Sequence, residues 1–303
     1  MAAGKESVGI RGRLQQAVLD HMPDRWLTRR VARWAEAEVP VRLRGPLYSG
    51  IARAVGADNG EASEPLETYP SVNAWFTRSL RPGVRPWRVE APDWGMPADG
   101  RLDVAGTLGA GQLVQAKGLT YGVVDFLGDA EAATTFADAW FGTIYLSPKD
   151  YHRVHAPCTM DIDEVWHLGG RLLPVNGMTV PTREGVFVEN ERVVFRFRDE
   201  TGTAAALVMV AATVVGGIRI ATERVSLRQD HEVVCDRYVL SEPWRVAAGD
   251  ELGVFAIGST VVLLRAAMPV GLRSCPDAAG LPRTVRLGEP LLSPHRLHGA
   301  QQP

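Results

Sequence analysis

From about residue 92 onward the chain is written in short β-branched runs separated by glycine, proline and aspartate. The runs cover residues 102–104, 112–117, 142–146, 160–168, 185–188, 193–198, 206–215, 218–221, 233–239, 252–255 and 261–264. β-Branched side chains suit a pleated strand, and the punctuating residues suit tight turns. Runs this short and this close leave little chain for crossover helices. The pattern therefore predicts a compact, mainly antiparallel β domain. The 31 glycines and 20 prolines fit its many turns. Residues 129–140 are the one clear helix expected inside it. After Leu264 the sequence reads as irregular, and residues 299–303 as a disordered tail.

Residues 10–57 follow a different rule. Ile10, Leu14, Ala17, Val18 and Met22 recur at helical spacing until Pro23-Asp24 breaks the run. Trp26, Leu27, Val31, Trp34 and Ala35 mark a second helix, flanked by Arg25, Arg29, Arg30 and Arg33. Residues 47–55 extend the apolar surface. Tryptophan with a basic margin suits docking into the interface of an anionic bilayer. The same pattern also serves a helix packed on its own domain with its arginines in water. Residues 58–65 read as a loop, and residues 72–80 as a short helix closed by Arg81-Pro82-Gly83. The expected class is α+β. Residues 1–70 form a helical, candidate membrane-docking region, and residues 71–298 the β-rich domain.

A net charge of -2 excludes a strongly basic nucleic-acid binder, although not a local basic patch. Cys158, Cys235 and Cys275 lie far apart and form no CxxC, which fits a reducing compartment and no disulfide framework. Residues 1–9 contain no apolar core of a secretory signal. Residues 201–218 are the longest uncharged run and borderline for a membrane span. They are rich in Ala, Gly, Thr and Val, and Gly216-Gly217 interrupts them, so they read as buried strand.

Three segments carry candidate chemistry. Met96-Pro97-Ala98-Asp99-Gly100-Arg101 is an Asp-Gly turn leading into a strand. Residues 145–157 hold His152 and His155 beside Arg153, Lys149, Asp150 and two tyrosines, between Pro148 and Pro157. A third ligand at metal spacing is missing and HExxH is absent, so acid–base work suits the histidines better than zinc. The third segment is Ala256-Ile257-Gly258-Ser259-Thr260-Val261. Ser, His and Asp together point to an activated serine. No GxSxG elbow surrounds Ser259. A glycine directly before the serine fits attack of the hydroxyl on the chain's own carbonyl.

Further motifs join these. They are Trp75-Phe76-Thr77-Arg78-Ser79-Leu80-Arg81-Pro82-Gly83, Leu173-Pro174-Val175-Asn176, Asn190-Glu191-Arg192-Val193 and Arg286-Leu287-Gly288-Glu289-Pro290-Leu291. From about residue 70 to about residue 292 the combination resembles the phosphatidylserine decarboxylase family, which is pyruvoyl-dependent and self-processing. Ile257 stands where the family usually has Leu, and Lys149 where Arg is common. Neither departure alters the Gly258-Ser259 bond.

The resemblance implies roles. His155 takes the Ser259 proton, Asp99 orients His155, and Ser259 attacks the Gly258 carbonyl. The cut leaves chains 1–258 and 259–303 together as a heterodimer, with further dimerisation open, and converts Ser259 to the covalent pyruvoyl cofactor. Phosphatidylserine forms a Schiff base with that group, loses carbon dioxide, and is released as phosphatidylethanolamine. His152 returns the proton to the α-carbon, and Arg153 is the nearest candidate for the substrate phosphate. Neither a metal nor a nucleic acid is implied. A lipid substrate implies a peripheral enzyme, expected at the cytoplasmic face of a membrane. Lipoyl-like sandwich or barrel elements are expected in the β domain. Two rival readings stand beside this one: a serine hydrolase using Ser259, His155 and Asp99, and a non-enzymatic lipoyl-like binding module.

Overall fold

The computed structural model describes residues 24–116, 119–175, 179–180, 182–212, 217–227, 235–256, 259–267 and 281–292. The expected first helix at 10–22, Ile257, Gly258, Cys275 and the tail at 299–303 lie outside the described residues.

The described chain opens with α1 (Asp24–Glu36), α2 (Val41–Val55) and α3 (Val72–Phe76). Helix α2 ends where Gly56 turns left-handed, at φ 82°, and its N–H meets the Ala52 carbonyl. Ser71 caps α3 by accepting from the Ala74 N–H. These helices bury a small core of Ala35, Tyr48, Ala52, Tyr69, Val72, Trp75 and Phe76. Tyr48 and Trp75 stack within it, with ring centroids 5.8 Å apart.

Strands β1 (Trp94–Gly95), β2 (Gly100–Thr107), β3 (Gln112–Ala116) and β4 (Leu119–Gly122) come next. Two short helices, α4 (Val123–Leu127) and α5 (Ala132–Thr135), lead to β5 (Trp140–Leu146), β6 (Arg153–His155) and β7 (Met160–Leu168). One turn, α6 (Val186–Glu189), precedes β8 (Arg192–Asp199), β9 (Ala204–Ala211) and β10 (Ile218–Ile220). The chain then forms β11 (Cys235–Val246), β12 (Glu251–Phe255), β13 (Ser259–Arg265), β14 (Arg283–Val285) and β15 (Pro290–Leu292).

Eight strands build the main sheet in the order β11-β7-β8-β9-β13-β5-β2-β14. A second sheet runs β10-β12-β6, and β1-β15 and β3-β4 pair separately. The described pairings are antiparallel. Strand β13 lies between β9 and β5 and is buried at every position. With both faces covered, its centre, Val261-Val262-Leu263-Leu264, is a continuous apolar run rather than an alternation. Edge strand β11 is mostly exposed or half-buried.

The α+β class and the antiparallel sheet agree with the sequence. No sheet closes on itself among the described residues, so the lipoyl-like closure is not confirmed. Residues 185–188, expected as strand, form the α6 turn: Gly185 is left-handed at φ 72°, and the Asn190 N–H closes on the Val186 carbonyl. The helix expected at 129–140 shrinks to α5, because Trp140 already pairs in β5. The region after Leu264 is not irregular throughout: β14 pairs with β2 and β15 with β1. The uncharged run at 201–218 contributes buried β9, and no described helix is long and apolar enough to cross a membrane.

Gly100 lets β2 approach β5, since a Cβ there would stand 2.5 Å from the Tyr145 carbonyl oxygen. Overpacking of this kind costs about 1–3 kcal/mol. Gly100→Ala is therefore expected to lower the urea midpoint followed by circular dichroism. Gly50→Ala, on α2 with nothing within 4 Å of the added methyl, is expected to hold or raise it.

Candidate active site

Ser259 opens β13 and stands in register between Leu146 of β5 and Ala211 of β9. Its exposure is 0%, and its Oγ has no hydrogen-bond partner. The next residue, Thr260, also buries an unpaired hydroxyl. An unsatisfied buried hydroxyl costs about 1–3 kcal/mol, so Ser259 weakens the fold where it sits.

The two histidines come from the loop after β5 and from β6. Asp150 folds that loop by accepting from the Ser147 N–H and Oγ at 2.8 and 2.7 Å. Its carbonyl accepts from His152 Nδ1 at 2.8 Å. A carbonyl only accepts, so His152 carries its proton on Nδ1 and leaves the Nε2 lone pair bare. Nε2 is buried and has no partner. The ring packs on Phe76 of α3 with centroids 4.1 Å apart. Burial pushes the His152 pKa down to about 3, and the Arg78 charge contributes to the fall.

His155 pairs across to Glu251 of β12. Its Nδ1 donates to the Gly249 carbonyl at 2.8 Å, and its Nε2 accepts from the Tyr151 hydroxyl at 3.3 Å. Burial holds its pKa below the usual histidine value. Both imidazoles are thus held neutral with Nε2 as the lone-pair nitrogen, the protonation state a general base starts from.

Asp99 lies between β1 and β2, and the His155 N–H donates to the carbonyl of nearby Pro97 at 2.8 Å. Among the described residues Asp99 accepts from Arg85 and Leu287 rather than from His155. Arg85 Nε donates to both Asp99 oxygens at 2.9 Å, and the Leu287 N–H takes Oδ1 at 2.8 Å. A guanidinium fork is the stronger partner for a carboxylate. The same Arg85 reaches Glu61 at 2.8 and 2.9 Å and holds that carboxyl below its usual range. Asp99 still acts on His155 through its charge, which favours the protonated ring.

The strands bring these pieces to one end of the molecule. The Phe255 N–H donates to the His152 carbonyl at 3.0 Å, and β12 then leads through residues 257–258 to Ser259. No hydrogen bond joins Ser259 to either histidine. Arg153 lines a cleft of about 620 Å³ between the helices and β6, but its Nε is given to the Thr77 carbonyl and its other arm to Glu251 at 2.7 Å. Among the described residues no cluster of His, Cys, Asp or Glu is placed to hold a metal ion. Sequence reasoning missed Arg85, Tyr151 and the Phe76 wall. All three lie within or beside motifs it quoted, yet only folding reveals what they touch.

Ser259 is buried and follows Gly258 directly in the sequence, which suits attack within its own chain. The sequence model of the family described as phosphatidylserine decarboxylase matches residues 72–293. A Chromobacterium violaceum protein named phosphatidylserine decarboxylase proenzyme is 38% identical over 275 residues, covering 90% of this chain and 96% of its own. Proteins of the same name from Bordetella avium and Alcanivorax borkumensis are 35% and 37% identical, over 90% and 80% of this chain and 92% and 84% of theirs. The chain belongs to the phosphatidylserine decarboxylase family.

The neutral state of His152 has a measurable consequence. Its folded pKa lies below its unfolded value of about 6.5. Its contribution to stability is complete above about pH 6.5 and is lost as pH falls toward about 3, because only the unfolded chain binds the proton there. His152→Phe removes this dependence. As pH falls from about 7 to about 5, the stability gap measured by urea titration is expected to move in favour of the variant by on the order of 1–2 kcal/mol.

Proposed function

We propose that this chain cuts itself between Gly258 and Ser259, converts Ser259 to a pyruvoyl group, and then decarboxylates phosphatidylserine to phosphatidylethanolamine. The observation that carries this reading is the buried, unpaired Ser259 hydroxyl at the head of β13, in a chain whose relatives are named proenzymes. The name proenzyme carried by the relatives favours this reading over a serine hydrolase or a binding module.

His155 Nε2 takes the Ser259 proton, directly or through the Tyr151 hydroxyl it now accepts from. The Ser259 oxygen bonds to the Gly258 carbonyl carbon, and the C–N bond breaks to give an ester. Loss of the Ser259 α-proton expels the Gly258 carboxylate and leaves a dehydroalanine. Water then replaces its nitrogen, releasing ammonia. Asp99 steadies the charged imidazole at a distance, and Arg85 fixes Asp99.

The position suits the product. Its strand neighbours are Leu146 and Ala211, so an uncharged ketone fits where the unpaired hydroxyl does not. When present, the pyruvoyl carbonyl supplies the electron sink that a primary amine needs in order to lose carbon dioxide. His152 handles the returning proton at Nε2. An anionic substrate beside it raises its proton affinity, which helps it carry that proton. The pieces stay together because β13 remains paired to both β5 and β9, and β14 and β15 hold the rest of the small chain.

Purified protein is expected to give two masses, for chains 1–258 and 259–303, with the small chain blocked at its N-terminus and trapping a primary amine under borohydride. Ser259→Ala and His155→Ala are expected to stay whole. His152→Ala is expected to be cut yet lose about 10²- to 10⁴-fold in carbon dioxide release. One intact wild-type chain labelled at Ser259 by a fluorophosphonate would support the hydrolase instead.

The helical part is the proposed membrane contact. Trp34, Val41 and Leu43 are 59%, 59% and 50% exposed, and Arg33 and Arg42 are exposed beside them in sequence. Replacing the three apolar residues by serine in the full chain is expected to abolish sedimentation with anionic vesicles without affecting self-cleavage. Unchanged vesicle binding would rule out this surface.

A further inference from the structure

Four arginines are buried among the described residues: Arg44, Arg78, Arg192 and Arg265, at 8%, 3%, 5% and 2% exposure. Three of them are compensated. Arg44 donates to the Val39 and Glu67 carbonyls. Arg192 donates to the carbonyls of Phe126, Val188, Asn190 and Asp125. Arg265 is paired with Asp199. Arg78 differs from the other three. It lies over the Trp75 ring, 5.2 Å from the centroid, and its Nε is buried without a partner. No hydrogen bond or ion pair reaches its guanidinium among the described residues.

The carboxylates whose charge reaches Arg78 are occupied elsewhere. Glu61 and Asp99 are both taken by Arg85, and Asp58 accepts from the Gly60 N–H. A buried cation with no counter-charge is costly, and its natural complement is an anion from outside the chain. The surroundings suit such an anion. Arg78 lines the cleft of about 620 Å³, as do Arg153 and Arg219, which stand in register on either side of Val254 in the sheet β10-β12-β6. Glu36, Glu38 and Glu64 also line it; Glu36 and Glu38 are bonded to Asn73 and Arg44, and Glu64 is exposed to solvent. Two residues before Arg78, Phe76 forms the wall against His152.

We propose that Arg78 receives the phosphodiester of the phospholipid headgroup, with Arg153 and Arg219 shaping the cleft around it. The proposal rests on the decarboxylase reading above. The choice between the two anions of the headgroup follows from the reaction. The carboxylate must shed its charge as carbon dioxide, so a cation holding it would stabilise the starting state. The phosphodiester keeps one negative charge from substrate to product. Arginine bound there grips substrate and transition state equally, which lowers KM and leaves kcat nearly unaltered.

The test uses the self-cleaved enzyme with soluble dihexanoyl phosphatidylserine and, as a phosphate-free amine acid, O-hexanoylserine. Intact mass first verifies that each variant has been cut. Arg78→Gln is expected to raise KM for the phospholipid on the order of 10- to 100-fold, with kcat within about threefold, and Arg78→Lys to recover part of the loss. For O-hexanoylserine the variants and the wild type are expected to behave alike. A second arm titrates glycerophosphoethanolamine calorimetrically into wild type and Arg78→Lys, and also into Arg78→Gln whether or not it is cut. Weaker binding to both variants is expected. Unchanged KM with unchanged glycerophosphoethanolamine binding would overturn the proposal, as would equal losses on both substrates. Wild type that binds glycerophosphoethanolamine through Arg78 but releases no carbon dioxide would instead refute the decarboxylase reading.

Discussion

Strand β13 is bonded on both sides, to β9 and to β5, over all seven of its residues. The rest of the molecule depends on this. The strand is buried at every position, with Val261-Val262-Leu263-Leu264 as its apolar centre, and it joins the two halves of the sheet. Its first residue is Ser259, which makes the reactive group part of the most constrained backbone in the fold. A serine on a mobile loop would have its hydroxyl in water. Here the sheet fixes the backbone on one side of the proposed scissile bond and leaves the hydroxyl without a partner among the described residues. The same pairing explains how a cut at the head of the strand leaves the fold standing, since the ladder lies wholly downstream of it.

Charge around the site is arranged by one residue. Burial works against Arg85, but Asp99 and Glu61 together hold its guanidinium above the usual range. That fork joins the helical part, through Glu61, to the turn before β2, through Asp99. It also removes two carboxylates from circulation. Without it, Asp99 would be free to pair with His155 or with Arg78, and the proton affinity of the first and the openness of the second would both change. Asp99 therefore serves the site more as a fixed charge held by an arginine than as a direct hydrogen-bond partner of the imidazole.

How much of this is legible in the sequence depends on how each part is specified. The central strands are legible because burial on both faces demands runs such as Val261-Val262-Leu263-Leu264. The α6 turn was not, because four apolar residues satisfy either period and only the left-handed Gly185 decides. Strands β14 and β15 have three residues each, too few to show any period, and exist because β2 and β1 have edges to fill. At the site the residue types were legible and the partners were not. His152, His155, Asp99 and Ser259 stand in motifs whose spacing carries meaning. That Asp99 faces Arg85 and that Arg153 is already paired with Glu251 are facts about residues distant in sequence. Arg153 and Arg78 look alike on paper, and only the fold shows that one has a partner and the other has none.

The helical part and the β domain have separate cores but do not make separate machines. Phe76 belongs to the helical core and forms the wall against which His152 is desolvated. Arg153, from the β domain, is anchored by the carbonyl of Thr77 at the end of α3. Glu61 reaches Asp99 through Arg85. Each link runs from the part proposed to meet lipid to a group proposed to act on it. Helix α3 is in turn held by Tyr48 of α2, which stacks on Trp75. The helices are for this reason part of the candidate site's construction rather than an appendage to it.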